Sequence, residues 1–311
     1  MNGFFKDKTR PLVLGHRGVP FAHQENTMAG FHMAVELGCD GVELDVFATR
    51  DDKIVVFHDE DPERLTGVSG SITDMTWDEV SQLRIKRRIA QNETGDVFRT
   101  YPSEERIPLL EEVLEEFSGK LLINIEMKAY SPMWSRRRTG RLVADVIEKA
   151  GSSDSVISTS FDFFMLRDLE KRMPSLHSGF AYDDAIVDSL KKWTSRLPEF
   201  DSEMAEAAGN QNHLSFLNML LELNTIGRFV GSSVVGAEHN LIDFDTVRKF
   251  HEREMLIGAY TLYPLDTRTV SGSSLDQDEE VRRLADCGVD WIETDDPERL
   301  LTLLVNFQNA N

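Results

Sequence analysis

Residues 11–47 read PLVLGHRGVPFAHQENTMAGFHMAVELGCDGVELDVF. Pro11 to Gly15 form a short apolar run that reads as a strand. Asn26 is placed to cap a helix, with Met28, Phe31, Val35 and Leu37 recurring along its apolar side. Gly38 ends that helix, since glycine accepts the left-handed backbone found at helix C-termini. Asp40 to Phe47 then form a second strand. A strand, a helical crossover and another strand make a parallel unit.

Working outward, the same alternation fills the chain. Residues 120–127, 155–160, 176–182, 228–235, 255–262 and 289–293 read as strands, and 53–58 as a further short one. Helices are predicted over 109–117, 141–150, 161–173, 243–253 and 278–287, and Pro297 behind Asp296 opens the last one. Eight principal strands, each followed by a helix, within about 250 core residues predict an α/β fold, a closed (β/α)8 TIM barrel. A doubly wound open sheet is the competitor, but no GxGxxG follows the first strand. The chain is therefore expected to be one catalytic domain over 1–311. Two segments interrupt it. Residues 60–106 carry GVSGS, the charged stretch TWDEVSQLRIKRR, read as a helix, and QNETGD, and are expected to form a small excursion over one barrel face. Residues 183–225 are expected to be a helical insertion between strands 5 and 6, as a cap on the mouth, a partner contact or padding.

Composition narrows the function. The 311 residues carry 34 Lys and Arg against 54 Asp and Glu, a formal charge of −20. Nucleic-acid binders need a positive footprint, so none is expected as a partner. An anionic substrate requires a locally reversed field. An apolar content of 41% is that of a globular chain. Cys39 and Cys287 are too few for a disulfide framework and read as small buried thiols. No CxxC or HExxH marks a zinc site. No apolar run reaches the ~18 residues of a membrane span, and MNGFFKDKTR lacks a signal-peptide core. A cytoplasmic protein without membrane insertion is expected.

Polar residues gather at the C-terminal ends of the early strands, where barrel enzymes place their sites. His16, Arg17 and Gly18 follow strand 1, and His58 and Asp59 end the KIVVFH strand. Side chains at i and i+2 of a strand share a face, so Glu43 and Asp45 point one way and Val42, Leu44 and Val46 the other. Glu126 and Lys128 repeat that spacing on the neighbouring barrel strand. Taken singly, such an acid is a solvent-facing group or an ion-pair partner, and His16 is a core histidine as readily as a catalytic one. Together, three carboxylates converging on one cavity call for a hard divalent cation with oxygen ligands, Mg²⁺ or Ca²⁺. Arg17 and Lys128 suit phosphate oxygens. One histidine can take a proton from an attacking hydroxyl while the other gives one to the leaving alkoxide. GVSGS lacks the spacing of an acyl-transfer nucleophile elbow.

HRG (16–18), ENT (25–27), GCDGVELDV (38–46), TRDDKIVVFHD (49–59), IEMK (125–128), PLLEEVL (108–114), Ser160-Phe161 and GVDWIETDDPERL (288–300) together resemble the glycerophosphodiester phosphodiesterases, in order and in spacing. The resemblance implies a TIM barrel with a small insertion after the second strand, here 60–106. It implies Glu43, Asp45 and Glu126 as metal ligands, His16 and His58 as the acid–base pair, and Arg17 and Lys128 as phosphate contacts. It further implies hydrolysis of a small-molecule phosphodiester to glycerol 3-phosphate and an alcohol, through a cyclic phosphate. Tyr260-Thr261-Leu262-Tyr263 stands where the family has a Trp-Thr-Val-Asn-like run, so Tyr260 is the expected aromatic wall of the substrate site and Tyr263 replaces the usual Asn. Phe21, His23, Tyr182 and Trp193 are further candidates for its lining. A lysophospholipase D or sphingomyelinase D-like activity on lipid is the rival enzyme reading. A phosphodiester-binding barrel without turnover is the rival outside enzymes.

Overall fold

The structure is a computed structural model that describes residues 3–6, 8–91, 97–128, 138–183, 233–265 and 276–310. Its strands in chain order are β1 (Leu12–Gly15), β2 (Gly41–Ala48), β3 (Ile54–Val56), β4 (Arg88–Ala90), β5 (Phe98–Thr100), β6 (Leu122–Met127), β7 (Val156–Ser160), β8 (His177–Tyr182), β9 (Val234–Glu238), β10 (Leu256–Leu262) and β11 (Trp291–Thr294). The order β1-β11-β10-β9-β8-β7-β6-β2 runs parallel throughout, and pairing of β1 with β2 closes it. The expected (β/α)8 barrel is therefore present.

Alternation along each strand sorts the side chains. Val42, Leu44 and Val46 of β2, and Ile123, Ile125 and Met127 of β6, pack outward in the main core, together with Val143 and Ile147 of helix Thr139–Ala150. The opposite faces of the strands fill the barrel interior. Its floor holds Leu12, Leu14, Leu122, Ile157, Leu256 and Trp291, all at most 7% exposed. Trp291 lies so close to β10 that a Cβ on Gly258 would sit 1.8 Å from its ring, so only glycine fits there.

Several local expectations are corrected. Thr27, not Asn26, caps the helix Met28–Leu37 by accepting the Gly30 N–H. On that helix Val35 is 39% exposed and Ala34 is buried, because the contact face rotates toward the small residues that meet the barrel. The short KIVVFH strand stands apart from the eight barrel strands, as expected, with β3 running antiparallel to the end of β2. The stretch read as a charged helix is helical only over Trp77–Val80. Beyond it, Leu83 and Ile85 turn inward to a small core of their own with Phe57, Leu65, Ile72 and Tyr101. β9 is described over Val234–Glu238 and ends three residues past the expected limit at 235, while residues 228–232 of the expected strand fall outside the described residues. So does all of the 183–225 segment beyond Asp183.

The excursion between β3 and helix Leu110–Phe117 docks on the loop that follows β1. Tyr101 Oη donates to Pro20 O at 3.0 Å, Gln24 Nε2 to Ser103 O at 2.6 Å, and Arg99 Nη1 to Phe21 O at 2.6 Å.

Candidate active site

The chain leaves β1 through a tight turn in which Gly18 N–H donates to Gly15 O. A Cβ on Gly15 would lie 2.1 Å from Gly18 O, so the turn requires glycine. It brings His16 and Arg17 over the barrel mouth. Glu43 and Asp45 come up from β2, Glu126 from β6 with Lys128 just beyond it, and the register sets Asp45 beside Glu126. β3 folds back along β2, with Phe57 N–H donating to Asp45 O at 2.9 Å, which delivers His58 to the same place. One ligand oxygen from each of Glu43, Asp45 and Glu126 falls within a 4.8 Å cluster. Sequence reasoning thus named seven residues that the fold does gather.

Their charges are unevenly matched. Lys128 Nζ lies 2.8 Å from Asp45 Oδ1 and 2.6 Å from Glu126 Oε1. Arg17 Nε lies 3.2 Å from Asp45 Oδ2. Burial alone would push the Asp45 carboxyl up, but Lys128 and Arg17 hold it well below the usual carboxylate range. Among the described residues, Glu43 accepts one hydrogen bond, from the Arg17 N–H to Oε2 at 3.0 Å. Burial, and then the charges of Asp45, Glu293 and Glu126, raise its carboxyl well above the ordinary value. Its Oε1 is buried with no hydrogen-bond partner among the described residues. Buried carboxylate oxygens are normally satisfied, so an orphan that shares a cluster with two more carboxylates fits a divalent cation with oxygen ligands.

Each histidine is oriented by an aspartate. His16 Nδ1 is 2.7 Å from Asp295 Oδ1, and the other Asp295 oxygen accepts the Leu265 N–H at 2.6 Å. His58 Nδ1 is 2.6 Å from Asp59 Oδ1. A carboxylate acceptor places the proton on Nδ1 and leaves Nε2 of each neutral ring as the free base. His16 Nε2 lies 3.9 Å from Glu43 Oε2. Burial first, and then the Arg17 charge, lower the His58 imidazole below its ordinary value.

Other site residues went unassigned from sequence. Asn26, in the left-handed region at φ 58°, pairs with β2 twice: its Nδ2 donates to Asp45 Oδ2 at 2.7 Å and its Oδ1 accepts Asp45 N–H at 3.1 Å. Glu293, one layer further in, accepts from Trp291 Nε1 and Asn124 Nδ2, both at 2.8 Å. The i, i+2 spacing of Trp291 and Glu293 on β11, continued by Asp295 just past its end, was the signal for the last two acids. Tyr260, the expected aromatic wall, stands edge-on to Phe161 with ring centres 6.4 Å apart, and its hydroxyl donates to Tyr182 O at 2.8 Å. Tyr263 turns to the outer helices, with its hydroxyl 2.6 Å from Asp278. Tyr182 is a correction: its side chain packs in the outer core, not the pocket. Phe21 lies under the Arg99 guanidinium, His23 is half-buried, and Trp193 is outside the described residues.

A parallel barrel that gathers acids, bases and cations at the carboxyl ends of its strands defines a barrel enzyme. The sequence pattern of the Glycerophosphoryl diester phosphodiesterase family matches residues 16–299. A glycerophosphodiester phosphodiesterase of Caldanaerobacter subterraneus subsp. tengcongensis is 30% identical over 296 residues, 95% of this chain and 98% of that protein. Two solved structures share the fold. The putative glycerophosphoryl diester phosphodiesterase of Silicibacter pomeroyi has a TM-score of 0.71 at 20% identity, covering 98% of this chain and 96% of that one. An Oleispira antarctica phosphodiesterase in complex with the product sn-glycerol-3-phosphate has a TM-score of 0.64 at 20% identity, covering 95% and 97%. The chain belongs to the glycerophosphoryl diester phosphodiesterase family and is a phosphoric diester hydrolase. Among the described residues, no helix is long and apolar enough to cross a membrane.

Proposed function

We propose that the protein hydrolyses small glycerophosphodiesters to glycerol 3-phosphate and an alcohol, using His16 and His58 as an acid–base pair beside a divalent cation held by Glu43, Asp45 and Glu126. The observation that carries this reading is the pairing of two aspartate-oriented imidazoles with a buried cluster of three carboxylates at one mouth. The product complex of the Oleispira antarctica phosphodiesterase supports the glycerol phosphate assignment.

Arg17 and Lys128 hold phosphate oxygens, the first through its fork and the second as a point charge. When bound, Mg²⁺ or Ca²⁺ supplies positive charge to a phosphate oxygen and offsets the charge that builds there in the transition state. At formal values, two cationic side chains and a dication outweigh three carboxylates by about one charge, which gives the local field an anion needs. Nε2 of one histidine accepts the proton of the substrate hydroxyl next to the phosphate. The other histidine, protonated, gives its Nε2 proton to the departing alcohol. The two exchange roles when water opens the cyclic phosphate.

The test is turnover of glycerophosphocholine by the wild type, His16→Ala and His58→Ala, with and without chelator. Chelation should abolish activity. Each substitution should lower kcat by about 10²–10⁴-fold, with the thermal transition retained. Full activity in His58→Ala refutes the acid–base assignment. Faster turnover of lysophosphatidylcholine than of glycerophosphocholine favours the lipid-directed reading instead.

A further inference from the structure

The excursion over the barrel mouth contributes one side chain that reaches both halves of the site. Arg64 lies on a single helical turn, Glu63–Thr66, at the start of that segment. Its Nε is 2.5 Å from Asp59 Oδ2, the oxygen that His58 does not use. Its Nη1 and Nη2 meet Glu25 Oε2 and Oε1 at 2.9 and 2.7 Å, a two-point fork. Glu25 Oε1 in turn accepts from Arg17 Nη1 at 3.1 Å. The guanidinium therefore uses all three of its nitrogens on two carboxylates, one holding an imidazole and the other a phosphate-binding arginine.

We propose that Arg64 is a positioning residue that fixes His58 and Arg17 in one mutual geometry through Asp59 and Glu25, and that this is the catalytic contribution of the excursion. This rests on the acid–base reading of His58 given above. Asp59 alone is a short carboxylate on a loop, with two side-chain torsions free to turn it away from its histidine. The Arg64 Nε contact on its second oxygen removes that freedom. A planar fork specifies direction in a way a point charge does not. Charge balance agrees: Arg17 and Arg64 face Glu25 and Asp59, so the link is neutral overall. The Glu25 carboxyl is held well below its usual range by Arg64 and then Arg17, against the opposing effect of burial. The base of the link is rigid, because Leu65 beside Arg64 is fully buried in the small core of the excursion.

The test is a kinetic cycle on the full-length enzyme with glycerophosphocholine and Mg²⁺ or Ca²⁺. Arg64→Met should lower kcat about 10- to 100-fold, the scale of a small misplacement of a reacting group, and raise KM several-fold through Arg17. Arg64→Lys keeps the charge but lacks the fork, so it should lose kcat in the same direction, and it serves if Arg64→Met does not fold. Asp59→Asn should lower kcat, and Glu25→Gln should act mainly on KM. In the double variant Arg64→Met/Asp59→Asn the kcat loss should be no larger than that of the worse single variant, because both act on the same imidazole. Losses that multiply in the double variant overturn the proposal. So does a lowered thermal transition with kcat and KM unchanged in both Arg64 variants, which marks a role in folding alone. An inactive His58→Ala alongside Arg64 variants of wild-type kinetics removes this proposal and leaves the acid–base reading standing. A fully active His58→Ala removes both.

Discussion

The floor and the mouth of the barrel are built from the same strands and the same inward faces, yet they obey opposite rules. In the floor, Leu122 of β6 and Trp291 of β11 sit with no exposed surface among other apolar groups. Two residues further along those strands stand Asn124 and Glu293, joined by a hydrogen bond, and two further again are Glu126 and, just past the end of β11, Asp295. The floor is held by area removed from water and by close packing. The mouth is held by a few directed contacts that leave Glu43 Oε1 without a hydrogen-bond partner among the described residues. A cluster of carboxylates that could hold a metal ion keeps buried charge in reserve, and that costs stability. The lower layer supplies the rigidity on which such a layer can rest.

Three perturbations separate the layers. The largest is in the floor. Trp291→Ala removes a fully buried ring and leaves the Gly258 notch empty, which should cost about 3–5 kcal/mol in denaturant unfolding. A cost below about 1 kcal/mol would mean that the floor does not carry the fold.

In the mouth the sign should reverse. Glu43→Gln in metal-free protein removes a carboxylate whose folded-state value is raised by burial and by Asp45, Glu293 and Glu126. Ionising such a group destabilises the fold as pH rises. The variant should therefore gain about 2 °C in Tm at neutral pH, on the order of 1 kcal/mol, with the gain fading as pH falls toward the ordinary carboxyl range. A divalent cation should raise the Tm of the wild type more than that of the variant, because it binds the folded state. Equal shifts would remove Glu43 from the ligand set.

The smallest effect belongs to a carboxylate on the outer wall whose charge is matched. Glu280 receives Arg283 and His239, and against the upward push of burial they lower its carboxyl to about 2. A depressed folded value gives stability that is present above the ordinary carboxyl range and lost as pH falls from there toward about 2. Glu280→Gln should flatten that acid limb by up to about 1 kcal/mol, since its partners are partly solvated. A wild-type acid profile in Glu280→Gln would mean that the pair contributes nothing.

Much of this was legible in the chain. The i, i+2 spacing of Glu43 with Asp45, and of Glu126 with Lys128, sets each pair on one shared face, because side chains alternate along a strand. Local rules also placed the Gly38 helix stop and most strand limits to within one or two residues. They failed where a contact overruled propensity. The 76–88 stretch has helical composition, but Leu83 and Ile85 are claimed by a separate small core. Asn26 has the chemistry of a cap, yet its side chain is taken by the backbone and carboxylate of Asp45.

The sequence by itself determined the repeating strand–helix unit, the barrel, and which residue types stand at the carboxyl ends of the strands. These follow from periodicity, and periodicity is local. Only the tertiary structure decided that Asp295, 279 residues away along the chain, orients His16. It also decided that Arg64 ties Asp59 to Glu25. Those partners are fixed by closure of the barrel and by the docking of the excursion on the β1 loop. No spacing along the chain encodes a hydrogen bond between segments that meet only after the whole sheet has closed.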